Sequence, residues 1–191
     1  MARVAERSKL TPGEYLAWER EQPTKHEYFD GEVFAMAGGS PRHNALCLQI
    51  GALLRERTRS HGCVTLTSDQ RVGLRDPTRY VYPDITVVCG ELRLQPETTD
   101  VLTNPTILVE VLSQSTEQYD RGLKWVGYQT IPSLADYLLV SQADVRIEHF
   151  RRDGDRWVYR AYGAGERVEL SGGGAVEVDA VYDGLLALPA D

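Results

Sequence analysis

The 191-residue sequence predicts an α/β (α+β) domain, a mixed β-sheet flanked by helices with antiparallel hairpins near both ends. Three observations carry this prediction. Residues 83–89 and 105–113 are runs of β-branched residues and Leu, the composition of buried central strands. The second run is followed by a helix-patterned segment and then by a further strand at 136–141, which makes a parallel βαβ crossover if all three share one sheet. Asp30-Gly31 and Asp153-Gly154 each divide two alternating segments, the mark of two-residue hairpins.

Along the chain, Thr11 reads as an N-cap, Pro12 suits the first helical position and Glu14 completes a capping box, so a short helix runs to about Arg20. Strands at 26–29 and 32–37 follow, and pairing across Asp30-Gly31 puts Glu27, Phe29, Glu32 and Phe34 on one face. Gly38-Gly39-Ser40-Pro41 interrupts the chain before a long helix to about Arg59. Its apolar stripe is Leu46, Ile50, Leu53 and Leu54, and three residues back the stripe reaches His43. Strand-like segments at 64–68 and 70–74 precede a polar turn around Asp76-Pro77 and then the two apolar strands. Ser115 with Gln118 reads as a second capping box, opening a helix to about Thr130 that Pro132 ends. After the strand at 136–141 come a hairpin, 145–151 with 156–162, and short edge strands at 168–170 and 176–178 beside Gly172-Gly173-Gly174.

Composition bounds what such a domain can do. Hydrophobic residues at 42% and charged residues at 26% are globular values, which excludes a disordered or fibrous chain. The length suits a single domain over 1–191, with a core at about 10–152 and a β-rich extension at 153–191. No apolar run approaches the roughly 18 residues of a membrane span, and residues 1–10 lack an apolar signal core, so a cytoplasmic protein without a membrane partner is expected. Cys47, Cys63 and Cys89 are odd in number and far apart, and read as reduced thiols. A net charge of −7 and a pI near 5.2 argue against binding a polyanion by bulk charge. Any nucleic-acid role must rest on a local site helped by a cation.

Glu110 is the most informative residue. It interrupts Ile107-Leu108-Val109-Glu110-Val111-Leu112, where a desolvated carboxylate needs either an Arg or Lys partner or a metal ion. Asp84 opens the other apolar strand directly after Pro83, as turn chemistry or as a second acidic ligand. If those strands are neighbours, the two carboxylates converge at one edge, which is what a Mg²⁺ site requires. Lys124 lies on a helical stripe with Glu117, Asp120 and Tyr128, either as a cation near that metal or in a surface pair with Asp120. His43 points inward at a helix start, as a group that orients phosphate or water or as a packed core histidine. His26, His61 and His149 have no ligand spacing, so zinc is disfavoured. Glu27, Glu32 and Asp69 read as solvated strand or turn residues, and Gly38-Gly39-Ser40 as a connector. Ser113, Ser115 and Thr116 read as capping residues.

Tyr28-Phe29-Asp30-Gly31-Glu32, His43 before a long helix, Tyr82-Pro83-Asp84, Val109-Glu110-Val111-Leu112-Ser113 with Ser115-Thr116, and Lys124 with Tyr128 together resemble the Uma family of endonucleases. That family is a branch of the PD-(D/E)XK nuclease superfamily with a restriction-endonuclease-like fold, and the resemblance covers about 10–152. It implies that Asp84 and Glu110 bind Mg²⁺ or Mn²⁺ and that the chain hydrolyses phosphodiester bonds in DNA. The superfamily's usual Lys, two residues after the Glu, falls here at Leu112; the resemblance assigns its part to Lys124, and an auxiliary part to His43. Homodimerisation is expected because double-strand cleavage needs two sites and the tail offers edge strands. A catalytically inactive binding or assembly module on the same fold is the alternative.

Overall fold

The computed structural model describes residues 2–3, 9–75 and 78–190; the turn expected at Asp76-Pro77 lies outside them. In its first half the chain forms β1 (Ala2–Arg3), α1 (Pro12–Glu19), β2 (His26–Phe29), β3 (Glu32–Ala35), α2 (Pro41–Thr58), β4 (Cys63–Thr67), β5 (Arg71–Gly73), β6 (Arg79–Val81) and β7 (Ile85–Cys89). Then come β8 (Val101–Leu102), β9 (Ile107–Val111), α3 (Glu117–Tyr119), a π-helical turn (Asp120–Lys124), α4 (Trp125–Tyr128) and β10 (Asp136–Val140). The tail adds β11 (Ile147–Asp153), β12 (Arg156–Tyr162), β13 (Arg167–Glu169), β14 (Ala175–Glu177) and α5 (Val178–Tyr182).

Two six-stranded sheets result, in the orders β1-β3-β2-β6-β5-β8 and β12-β11-β10-β9-β7-β4. The mixed sheet with flanking helices expected from sequence is the second of these. Its β9 and β10 pair in parallel across the expected crossover, and β11–β12 is the expected C-terminal hairpin. The N-terminal hairpin is more than an appendage, because β2 also pairs with β6 and becomes an interior strand of the first sheet. Asp30 and Gly31 both take positive φ (50° and 94°), as the two-residue turn demands.

Alternation along β9 explains the layering. Ile107, Val109 and Val111 join Leu46, Ile50 and Leu54 of α2 in one buried cluster. Leu108 and Leu112 turn the other way, into a cluster with Phe29, Val72 and Val81 of the first sheet and Tyr128 and Tyr137. Glu110, on the Leu108 side, therefore projects between the sheets. Gly51 sets how closely α2 approaches β7, since a Cβ there would stand 2.9 Å from Ile85 Cδ1.

Three expectations change. Cys63 and Cys89 are not reduced thiols: the β4–β7 register sets them opposite each other, Cα atoms 3.9 Å apart, and they form a disulfide, leaving Cys47 free. Ser115 makes no capping box; Thr116 precedes α3 without a side-chain cap, and Ser113 Oγ instead meets Ser115 Oγ and Thr116 Oγ1 at 3.1 and 3.0 Å. The segment 176–178 is a strand only to Glu177, where α5 begins. No helix among the described residues is long and apolar enough to cross a membrane.

Candidate active site

β7 and β9 are antiparallel neighbours with Ile85 opposite Val109, so one residue further along Asp84 stands across from Glu110. The convergence expected of these two carboxylates is present. The Val111 N–H donates to Asp84 Oδ2 at 2.7 Å, which anchors the side chain at the strand edge. Both residues line one pocket of about 250 Å³ together with His43, Ser113, Asp120 and Lys124.

Glu110 is 3% exposed, and its Oε1 accepts from Lys124 Nζ at 2.9 Å and from the Tyr128 hydroxyl at 2.6 Å. Lys124, also 3% exposed, is no surface residue: its ammonium lies 3.2 Å from Glu27 Oε1 and 3.3 Å from Asp120 Oδ1 as well. Asp120, Lys124 and then Tyr128 all reach the interior at successive intervals of four, the spacing of one helical face, and the turn from Asp120 to Lys124 is wound as a π-helix. Glu117, placed on the same stripe by spacing, leaves the site and pairs with Arg121 at 2.8 Å.

Glu27 corrects the reading that made it a solvated strand residue. It is fully buried because its face of β2, shared with Phe29, is turned to the cluster between the sheets; its Oε1 accepts from the Tyr82 N–H at 3.0 Å, and its Oε2 has no hydrogen-bond partner among the described residues. Three carboxylates, Glu27, Glu110 and Asp120, thus surround one ammonium, and Asp84 adds its charge beside Glu110. Burial, opposed by Lys124 and reinforced by the neighbouring carboxylates, holds the Glu110 carboxyl well above the ordinary range. Glu110, Glu27 and Asp120 outweigh the desolvation of Lys124 and keep its ammonium charged well past its usual value. This surplus of negative oxygen around one cation is a donor set that fits a hard divalent ion.

His43 enters from the first turn of α2. Ser40 caps that helix, its Oγ accepting from the His43 N–H at 3.2 Å. The ring Nε2 lies 3.4 Å from Asp84 Oδ1 and 3.4 Å from Cys47 Sγ. Burial, then the nearby Asp84 and Glu110, push the Cys47 thiol far up, so it stays protonated at neutral pH. Cys47 and Glu27 are the site neighbours that sequence reasoning missed; for Cys47 the signal was present, since it stands four residues after His43 on the same helix.

Gly39 gives the His43 ring its place, because a Cβ there would stand 2.4 Å from His43 Cδ2, whereas one at Gly38 meets nothing within 4 Å. Gly39→Ala is therefore expected to shift the imidazole NMR resonances of His43 and to cost about 1–3 kcal/mol as an overpacked contact. Gly38→Ala should leave those resonances in place, and equal shifts in the two variants would refute this packing argument.

A second groove, about 410 Å³, adjoins at Ser113 and is lined by Arg42, Arg121 and Arg146. Its cations are engaged. Arg42 donates to the carbonyls of Leu186, Leu188 and Gln142, while Arg121 and Arg146 hold Glu148, whose carboxyl falls to about 2 under their influence.

Fold and site together define a restriction-endonuclease-like architecture with an acidic centre at the edge of the second sheet. Over 93% of its length the chain superposes, with a TM-score of 0.76 and 14% identity, on 99% of a crystal structure described as "a putative nuclease belonging to DUF820" from Anabaena variabilis, a likeness of fold. Residues 12–179 match the family Uma2, described as "Putative restriction endonuclease", and the chain belongs to that family. Two relatives from a Synechocystis strain, both described as uncharacterized proteins, are slr1290 and sll1609. The first is 41% identical over 180 residues, covering 93% of each chain; the second is 34% identical over 167 residues, 87% of this chain and 94% of its own.

Proposed function

We propose that the chain hydrolyses phosphodiester bonds in DNA with Mg²⁺ or Mn²⁺ held by Asp84 and Glu110. The observation that carries this reading is the placement of those two carboxylates across from each other, one immediately before β7 and one on β9, at one pocket that Lys124 also lines. Held by Asp84 and Glu110, a divalent ion would polarise a phosphoryl oxygen, lower the pKa of a water and reverse the sign that a phosphate meets in an otherwise acidic pocket.

The chain's own residues do the rest. Glu27, Asp120 and Glu110 fix the Lys124 ammonium in one position, so its charge is preorganised to offset charge developing on the phosphate. His43 presents Nε2 beside Asp84, where it orients a phosphate oxygen or a water. Val111 holds Asp84 through its N–H, so the carboxylate keeps its direction without reorganising. A homodimer belongs to this reading, since two such sites cut two strands. A DNA substrate goes with the cytoplasmic location expected from sequence.

Supercoiled plasmid incubated with the purified chain should be nicked or linearised in Mg²⁺ or Mn²⁺ and left intact in EDTA. No cleavage with either ion overturns the proposal. One observation favours the inactive binding module instead: Leu112 stands where the superfamily's lysine falls, and the ammonium that would replace it is already shared by three carboxylates. Calorimetry with Mn²⁺ separates the two, because the module needs no binding that depends on Asp84 and Glu110.

A further inference from the structure

The hard-cation reading uses Asp84 but leaves Cys47 unused. His43 and Cys47 are four residues apart on one face of α2, and Asp84 stands immediately before β7. The His43 Nε2 lies 3.4 Å from Cys47 Sγ and 3.4 Å from Asp84 Oδ1, and the three ligand atoms all lie within 4.8 Å of one another. In a tetrahedral zinc site, with metal bonds of about 2.0–2.3 Å, neighbouring ligand atoms stand about 3.3–3.6 Å apart. Two edges of such a tetrahedron are already at length, and the third needs only a modest side-chain adjustment.

These positions are built rather than accidental. The Val111 N–H holds Asp84 Oδ2 at 2.7 Å, Gly39 makes room for the His43 ring, and Gly51 lets α2 come close to β7. The ligand types also select the ion. Mg²⁺ takes oxygen donors and disfavours sulfur, whereas Zn²⁺ and Co²⁺ accept an imidazole, a thiolate and a carboxylate, the Cys47 thiol giving up its proton as the metal binds.

We propose that His43, Cys47 and Asp84 form a three-ligand site for a borderline transition metal of the Zn²⁺ class, separate from the Asp84–Glu110 pair but sharing Asp84 with it. Three protein ligands leave the fourth position open, and His43 and Asp84 direct it towards the pocket. Because Asp84 serves both sites, zinc and the hard cation compete for it. Cys47 thereby sets which metal the pocket holds. The inference stands on the ligand geometry alone and does not need the chain to cut DNA.

The test is a Co²⁺ titration of the full chain with its disulfide intact and no nucleic acid present. The wild type should develop the near-ultraviolet absorption of thiolate-to-cobalt charge transfer, and Zn²⁺ should displace it. Cys47→Ala should lose that absorption, and His43→Ala should bind Zn²⁺ at least tenfold more weakly. Cys63→Ser with Cys89→Ser should retain the absorption, which assigns it to Cys47. A wild-type titration without the charge-transfer absorption overturns the proposal, and so does its persistence in Cys47→Ala. Failure of plasmid cleavage would overturn the nuclease reading and leave the cobalt spectrum unaffected.

Discussion

Asp84→Asn and Glu110→Gln each lower metal-dependent cleavage by about 10³-fold or more, the scale expected when a charge aimed at the reacting phosphate is removed from a water-poor site. What gives the prediction its force is that stability should not fall with activity. Each substitution keeps the size and hydrogen-bonding atom of the original. Asparagine retains an acceptor for the Val111 N–H, and glutamine retains one for Lys124 and Tyr128. Glu110→Gln also removes one of several carboxylates crowded around a single ammonium, a crowding already expressed in the raised Glu110 carboxyl. Its melting temperature should be unchanged or higher. Cleavage rates and thermal melts on the same preparations decide the matter. If activity and melting temperature drop in step, the carboxylates serve the fold and the assigned roles are wrong.

The residues that can be read from sequence are those that break a local rule. Glu110 shows itself because a charge interrupts six apolar positions, and Asp84 because a proline marks where its strand begins. Their convergence was legible only as a condition, since strand neighbours are a tertiary fact. Glu27 could not be read. Its burial depends on the second sheet and the segment carrying Lys124 covering its face of β2, a tertiary contact that no local pattern announces. Lys124 was legible as part of a stripe but not as buried, because the strands that face that stripe, carrying Glu27 and Glu110, are set by tertiary packing. The disulfide was hidden for a similar reason: Cys63 and Cys89 are 26 residues apart, and only the β4–β7 register sets them opposite each other. The net charge of −7, read at first as evidence against a polyanion partner, acquires a location, since four of the acidic residues gather at this one site.

Lys124→Met should cost about 3–5 kcal/mol of folding stability, because it removes the one partner common to several buried carboxylates. The loss should also depend steeply on pH, with a definite sign. Burial raises the folded-state pKa of a carboxyl, and in the wild type Lys124 opposes that rise at Glu110. Without the ammonium the rise is larger, so the folded variant binds more protons than the unfolded chain does. Its stability is then greatest below the unfolded value near 4.5 and falls as pH increases through the raised folded values. Denaturant melts should therefore find the variant close to wild type near pH 5 and far less stable near pH 8. Adding Glu110→Gln to Lys124→Met should recover part of the loss, because one uncompensated charge disappears with it. A Lys124→Met penalty that is independent of pH, or that grows on acidification, would mean the ammonium is not what holds these carboxylates together.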